Sequence, residues 1–237
     1  VAVPTGNFGN ILAAYYAIEM GLPVNRLICA SNENNVLTDF INTGIYDRNR
    51  EFKKTISPSM DILISSNLER LLFEITGGKS DLIGQWMNQL NTKGWYKIDP
   101  VYKKRISDIF WSDFSREDEI LNTIKAIYNE YRYVVDTHTA IAIDVYDKYV
   151  ISTGDMTKTI IASTASPFKF NTSVVKAIFG ENILDGQTEF GLLEILSNKC
   201  KINIPKGLRE LEGLPIKHRT ICKVGEMRAQ VENILGL

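Results

Sequence analysis

The segment Pro4-Thr5-Gly6-Asn7-Phe8-Gly9-Asn10 constrains the fold of this chain more than any other. A short apolar run, Val1 to Val3, leads into it, and a helical pattern from Ile11 to Met20 leads out. A glycine-containing turn between a strand end and a helix start leaves backbone N–H groups unpaired and directed at one point. The helix dipole adds partial positive charge there, so the turn is a seat for an anion such as phosphate. Gly6 and Gly9 allow close approach of the backbone and positive φ where it is needed. Asn7 and Asn10 add neutral donors, and no lysine lies inside the loop. Taken alone, the loop reads equally well as a plain helix-capping turn.

Other phosphate motifs fail. Gly78-Lys79-Ser80 has the tail of a Walker A loop, but Phe73 stands where its first glycine belongs, and no GxGxxG follows Val1–Val3. With a net charge of −1 there is no basic face for nucleic acid. The apolar stretches fall well short of the roughly 20 residues a membrane span needs, and no leader pattern is present. Cys29, Cys200 and Cys222 are far apart and form no CxxC pair, which fits free thiols in a reducing, cytoplasmic compartment. With only His138 and His218 beside them, a His/Cys metal site has little support.

Strand and helix signals alternate. Arg26–Ala30 predicts a short buried strand, Ser31–Asn35 a polar turn that caps a helix over Val36–Asn42, and Gly44 its end. This predicts an α/β fold around a parallel sheet. From Lys79 to Tyr133 the texture changes to charged helices carrying Trp86, Trp95 and Trp111, with a hairpin or loop near Gly94–Asp99 and a helix start at Ser115–Asp118. Alternation resumes with strand candidates at Tyr133–Val135, Thr159–Ala162 and Ile216–Cys222 and helices over Thr139–Tyr149, Thr172–Phe179, Glu189–Asn198 and Glu226–Leu235. The expected organisation is a core at 1–78 with the anion loop, a mostly helical insertion at 79–133, and a return to the core at 134–237.

Several segments together resemble threonine synthase of the long type found in many bacteria and fungi. They are VPTGNFGNILAAYYAIEMGLPV (Val3–Val24), LICASNENNVLTDFINTGIYD (Leu27–Asp47) and SPSMDILISSNLERLLFE (Ser57–Glu74), with weaker matches at DTHTAIA (Asp136–Ala142) and STASPFKF (Ser163–Phe170). The resemblance implies a pyridoxal 5'-phosphate enzyme of fold type II, the fold shared with tryptophan synthase β subunits. It makes Gly6, Asn7, Phe8, Gly9 and Asn10 the cup for the cofactor phosphate, and places Thr164 near the pyridine nitrogen. Ser166 and Phe168 depart from the family's usual His and Ala, and Thr137 replaces the proline of its DPHTA turn. Ser57, Ser59, Asn67 and Arg70 are candidates for contact with a phosphorylated substrate. Asn32, Glu33 and Asn34 are candidates for the active-site face. His138 reads as a structural helix-start residue rather than an acid or base, and the three tryptophans as core of the insertion.

The family's cofactor-carrying lysine lies in a TLAFKD-like segment upstream of the glycine loop, and no such segment occurs here. Lys79, Lys158 and Lys169 match no motif that would replace it, so no catalytic residue is assigned within the chain. The loop begins at residue 4 and the chain starts without Met, which predicts a piece of a longer protein. The resemblance implies that the whole protein converts O-phospho-L-homoserine and water to L-threonine and phosphate, by γ-elimination and then β-addition of water. The piece alone is expected to be inactive, and to self-associate or retain the missing N-terminal part of the same chain. A threonine or serine dehydratase, and a domain that has naturally lost its lysine, are the alternatives.

Overall fold

The computed structural model describes Val1 through Leu237. It divides into two compact units, Val1–Asn203 and Ile204–Leu237. The first unit opens with β1 (Ala2–Pro4), α1 (Gly9–Glu19), β2 (Leu27–Ser31) and α2 (Val36–Thr43). There follow β3 (Ile45–Asp47), a 3-10 turn at Pro58–Met60, α3 (Leu68–Thr76), α4 (Ser80–Lys93), β4 (Trp95–Lys97), α5 (Pro100–Ile109) and β5 (Phe110–Phe114). It closes with α6 (Glu117–Tyr131), α7 (Thr137–Thr153), α8 (Asn171–Phe179) and α9 (Glu189–Cys200). The second unit holds α10 (Lys206–Arg209) and α11 (Met227–Leu235).

The central sheet is parallel, in the order β1-β2-β5. Ala2 pairs with Ile28 and Leu27 with Phe110. Every residue of β1 and β2 is buried, as expected of parallel strands covered on both faces. Val3, Leu27, Cys29 and Phe110 join the large apolar cluster built with α1, α2, α3, α4 and α5. The alternating residues face the other way, where α7 lies against all three strands. Ala140 and Ala142 are fully buried in α7, and these small side chains allow a close approach to the sheet; Trp111 meets Tyr149 of α7 edge to face at 5.3 Å.

Two differences from the sequence reading concern this sheet. Phe110–Phe114 falls within the segment expected to be a helical insertion at 79–133, yet it is a strand of the central sheet. The charged helices around it hid a five-residue run whose partner lies some eighty residues earlier. The hairpin or loop expected near Gly94–Asp99 is instead one strand, β4, paired antiparallel with β3, which lies some fifty residues earlier with α3 and α4 between them. Trp86 is buried, but Trp95 is 42% exposed and Trp111 sits on the sheet, so the tryptophans do not form one insertion core. The sharp division of the chain falls at 203/204, within the expected 134–237 segment.

Of the late strand candidates, Tyr133–Val135 and Ile216–Cys222 are irregular. Ile216 is 70% and Ile221 95% exposed, so that run lacks the neighbouring strand that would use its apolar alternation. Thr159–Ala162 makes a single parallel bridge, Ala2 to Ile161, with Ala2 N–H donating to the Ile160 carbonyl at 2.8 Å and Ala162 N–H to the Ala2 carbonyl at 2.9 Å. That bridge carries the chain alongside β1 and delivers Ser163 and Thr164 to the same sheet edge as Pro4 and Thr5.

No helix is long and apolar enough to cross a membrane.

Candidate functional site

A cavity of about 300 Å³ opens at the carboxyl edge of the sheet, where open α/β sheets place their ligands. One wall is the stretch Val3 to Ile11; the rest is supplied by Ser59, Met60, His138, Thr164, Ala165 and Lys169. No carboxylate lines it, and its lysine is Lys169. The three N–H groups at the start of α1 after Phe8, those of Gly9, Asn10 and Ile11, have no carbonyl partner, because the first intrahelical bond runs from Leu12 N–H to the Phe8 carbonyl at 3.1 Å. Gly9 and Asn10 are exposed to the cavity side. This is the chemistry of an anion seat.

The backbone of the loop departs from expectation in an informative way. Neither Gly6 nor Gly9 takes a positive φ; Phe8 does, at 63° with ψ 10°. A phenylalanine is held left-handed because its ring is 1% exposed and packs 5.7 Å from the ring of Phe110. Burial of a Phe ring stabilises by about 1.5–3 kcal/mol, which exceeds the roughly 1–2 kcal/mol of left-handed strain. Gly6 serves a different purpose: a Cβ there would lie 2.8 Å from the Ser59 carbonyl oxygen and 3.2 Å from Met60 Cα. The glycine is what lets the 57–60 segment lie against the loop.

That segment is itself fixed by a polar hub that sequence reading missed, centred on Asp61. Its Oδ1 accepts from Asn32 Nδ2 at 2.8 Å, Asn34 Nδ2 at 2.9 Å and Thr55 Oγ1 at 2.7 Å, while Oδ2 accepts from Thr55 N–H at 2.8 Å. Asn32 Nδ2 also lies 3.0 Å from Ser57 Oγ, which is fully buried. So Asn32, Asn34 and Ser57, read as candidates for ligand contact, are used up inside the hub, and Glu33 pairs with Lys53 at 2.8 Å. Of the four residues expected to meet a phosphorylated substrate, Ser59 alone lines the cavity. Asn67 instead supports the loop from outside, with Nδ2 donating to the Asn7 carbonyl at 2.7 Å, and Arg70 NH1 donates to Asn67 Oδ1 at 3.0 Å.

A second support reaches the loop from the β3–β4 pair. Tyr46 Oη donates to the Leu63 carbonyl at 3.1 Å and accepts the Ser65 N–H at 2.7 Å; Ser65 Oγ then donates to the Gly6 carbonyl at 2.8 Å. Tyr46 stacks on Tyr96 at 5.4 Å with rings 3° from parallel. Burial drives the Tyr46 phenol up to about 12, only partly offset by the Ser65 N–H, so it stays a neutral hydroxyl able to donate and accept at once. Burial likewise pushes the Cys29 thiol up to about 12, which makes it an inert core residue.

The opposite wall is built by side chains. Asp136 caps α7, accepting the N–H groups of His138 at 2.8 Å and Thr139 at 3.3 Å on Oδ1, and the Thr139 hydroxyl on Oδ2. Thr139 Oγ1 also lies 3.3 Å from Ser163 Oγ, tying the start of α7 to the turn that bears Thr164. Burial alone would raise the Asp136 carboxyl, but hydrogen bonds from His138 and Thr139 outweigh it and hold the carboxyl below its ordinary value. Thr164 is exposed on the cavity. Ser166, at the position where the resembled family has His, caps the Pro167–Phe170 turn by accepting the Phe168 N–H at 3.3 Å. Lys169, set aside for want of a motif, lines the cavity with its Nζ 5.9 Å from the Phe170 ring centre.

Comparison with known proteins agrees with this architecture. Residues 139–231 match the family described as "Threonine synthase, C-terminal". The chain is 44% identical over 179 residues to threonine synthase-like 1 of Macaca fascicularis, covering 75% of this chain and 24% of that protein. It is 38% identical over 192 residues to threonine synthase of Saccharomyces cerevisiae, covering 75% and 37%. The crystal structure of the yeast threonine synthase superposes with a TM-score of 0.82 at 32% identity, over 99% of this chain and 47% of that one. The PLP-bound threonine synthase of Brucella melitensis superposes with a TM-score of 0.77 at 30% identity, over 98% and 45%. The chain therefore spans about a quarter to a half of the length of these relatives. In sequence and in its α/β fold around a parallel sheet, the chain is similar to part of the threonine synthases, and residues 139–231 match their C-terminal family model.

Proposed function

We propose that this chain is the C-terminal part of a pyridoxal-phosphate-dependent threonine synthase acting on O-phospho-L-homoserine, and that its cavity seats the cofactor. The observation that carries this reading is the loop Gly6–Asn10: free N–H groups at a helix start, facing a cavity without carboxylates, in a chain homologous to threonine synthases. The residues fit a phosphate. The N–H groups of Gly9, Asn10 and Ile11 bind its oxygens, Gly6 keeps the loop closed on Ser59, and Asn10 presents a side-chain donor at the rim. When bound, the cofactor supplies an electron-withdrawing ring that stabilises carbanions. Thr164, carried to the same sheet edge by the Ala2–Ile161 bridge, would offer the cofactor a hydroxyl, which can hydrogen-bond a ring nitrogen without forcing a proton onto it. Phe8 and Met60 exclude water from the base of the site.

Lys169 is the amine within the cavity, and it lies in no TLAFKD-like context. The 237-residue chain by itself is therefore expected to bind a phosphate but not to turn over phosphohomoserine. Mixing it with pyridoxal phosphate, reducing with borohydride and mapping adducts by mass spectrometry tests this. A stoichiometric adduct on one lysine accompanied by turnover overturns it. The free thiols at Cys29, Cys200 and Cys222 support a reducing, cytoplasmic setting. In the Ile204–Leu237 unit, Ile216, Ile221, Val224 and Ile234 are all more than half exposed, which supports covering by the remainder of the whole protein or by a second copy. Sedimentation showing a stable monomer counts against the latter.

The higher identity to threonine synthase-like 1 favours a second reading, in which the whole protein is of that kind. Turnover of O-phospho-L-homoserine by the full-length protein separates the two.

A further inference from the structure

His138 was read as a helix-start residue, and the structure gives it more to do. Its side chain is 4% exposed, yet His138 is one of the residues that line the cavity. Nδ1 lies 3.2 Å from Asp136 Oδ1 and 3.3 Å from Thr137 Oγ1, and the ring centre lies 4.5 Å from that of Phe170. Nε2 is buried and has no hydrogen-bond partner in the protein. A carboxylate only accepts, so the nitrogen facing Asp136 carries the hydrogen, and a ring with a single N–H then has its lone pair on Nε2. A buried acceptor left without a donor costs free energy, and such atoms are rare in folded proteins. Here the atom belongs to a ring on the wall of a ligand-sized cavity, across from an anion seat. An apolar side chain would fill a purely structural position without that cost.

We propose that His138 Nε2 accepts a hydrogen bond from a hydroxyl or N–H group of a phosphomonoester whose phosphate rests on the Gly6–Asn10 loop. Asp136 is the positioning residue that fixes the ring's tautomer, and Phe170 fixes its plane. The inference rests on the anion-seat reading of that loop.

The probe is pyridoxine 5'-phosphate, which carries a phosphate and hydroxyl donors but no aldehyde to react with lysines. The chain has two histidines, and exposed His218 serves as an internal reference in long-range ¹H–¹⁵N spectra of the ¹⁵N-labelled full chain. The expected result is that the His138 Nε2 resonance loses lone-pair character during titration, in step with the amide shifts of Gly9 and Asn10. Inorganic phosphate is expected to move those amides and leave the ring unchanged. His138→Asn is expected to weaken the pyridoxine phosphate affinity by about 2–10-fold, the value of one neutral hydrogen bond, and leave phosphate affinity intact. If the variant does not fold, the wild-type ring signal decides alone. Amides that shift while the ring stays fixed overturn the His138 assignment and leave the loop reading standing. A ring that responds equally to inorganic phosphate overturns the donor-group assignment. If neither probe moves the amides, both readings fall.

Discussion

The two walls of the cavity solve different problems by different means. The Gly6–Asn10 wall presents free main-chain N–H groups, supported from behind by Phe8, Ser65 and Asn67. The other wall presents His138 and Thr164, held from behind by hydrogen bonds among Asp136, Thr139 and Ser163. The first is sensitive to volume and indifferent to pH over the ordinary range. The second depends on the charge of one carboxylate.

Substitutions can break or sharpen that contrast. Asp61→Ala is expected to act most strongly, because it leaves Asn32, Asn34 and Thr55 with unpaired donors behind the main-chain wall; a loss of about 3 kcal/mol in denaturant unfolding is expected, with the phosphate seat weakened in parallel. Gly6→Ala comes next. Its Cβ would meet the Ser59 carbonyl, so roughly 1–3 kcal/mol of overpacking should appear both as a lower melting temperature and as a weaker phosphate titration. Unchanged phosphate binding in Gly6→Ala would show that the loop is not read through its backbone.

On the other wall, Asp136→Asn keeps an N-cap but removes the charge. Because the folded carboxyl titrates below its ordinary 3.8, its stabilisation is fully present above about pH 4 and is lost as pH falls through the folded value. Unfolding curves at pH 7 and pH 3 should show wild type losing more stability on acidification than the variant. Equal losses would place the acid sensitivity elsewhere. The smallest effect belongs to Gly9→Ala. The nearest atom to its Cβ would be Asn67 Nδ2 at 3.8 Å, so the protein should be unchanged or more stable by up to about 1 kcal/mol, any penalty falling on ligand binding alone.

The loop's position and the strand–helix alternation around it could be read from the sequence, because each is written in a few adjacent residues, and the family resemblance pointed to Thr164, which lines the cavity. What could not be read depends on distance. The Asp61 hub joins residues up to 29 positions apart, and nothing in Ser57-Pro58-Ser59 says that its serines serve different ends, one buried, one facing the cavity. The β5 strand was hidden among charged helices because its partner is β2. Ile216–Cys222 shows the converse: its apolar residues look like a strand, but no neighbouring chain completes it. His138 was undervalued since its local pattern, a capped helix start, explains one ring nitrogen and says nothing of the other.

The left-handed Phe8 carries a consequence for binding thermodynamics. A loop of glycines and asparagines would ordinarily have to surrender conformational freedom each time a ligand arrives, at roughly 1–2 kcal/mol per residue ordered. Here the bend is set when the Phe8 ring enters the core beside Phe110, so that ordering is completed once, during folding, and does not recur at each encounter. Phe8→Gly, which relieves the backbone and empties the pocket behind it, would return that entropy to the loop and shift the cost from folding to binding.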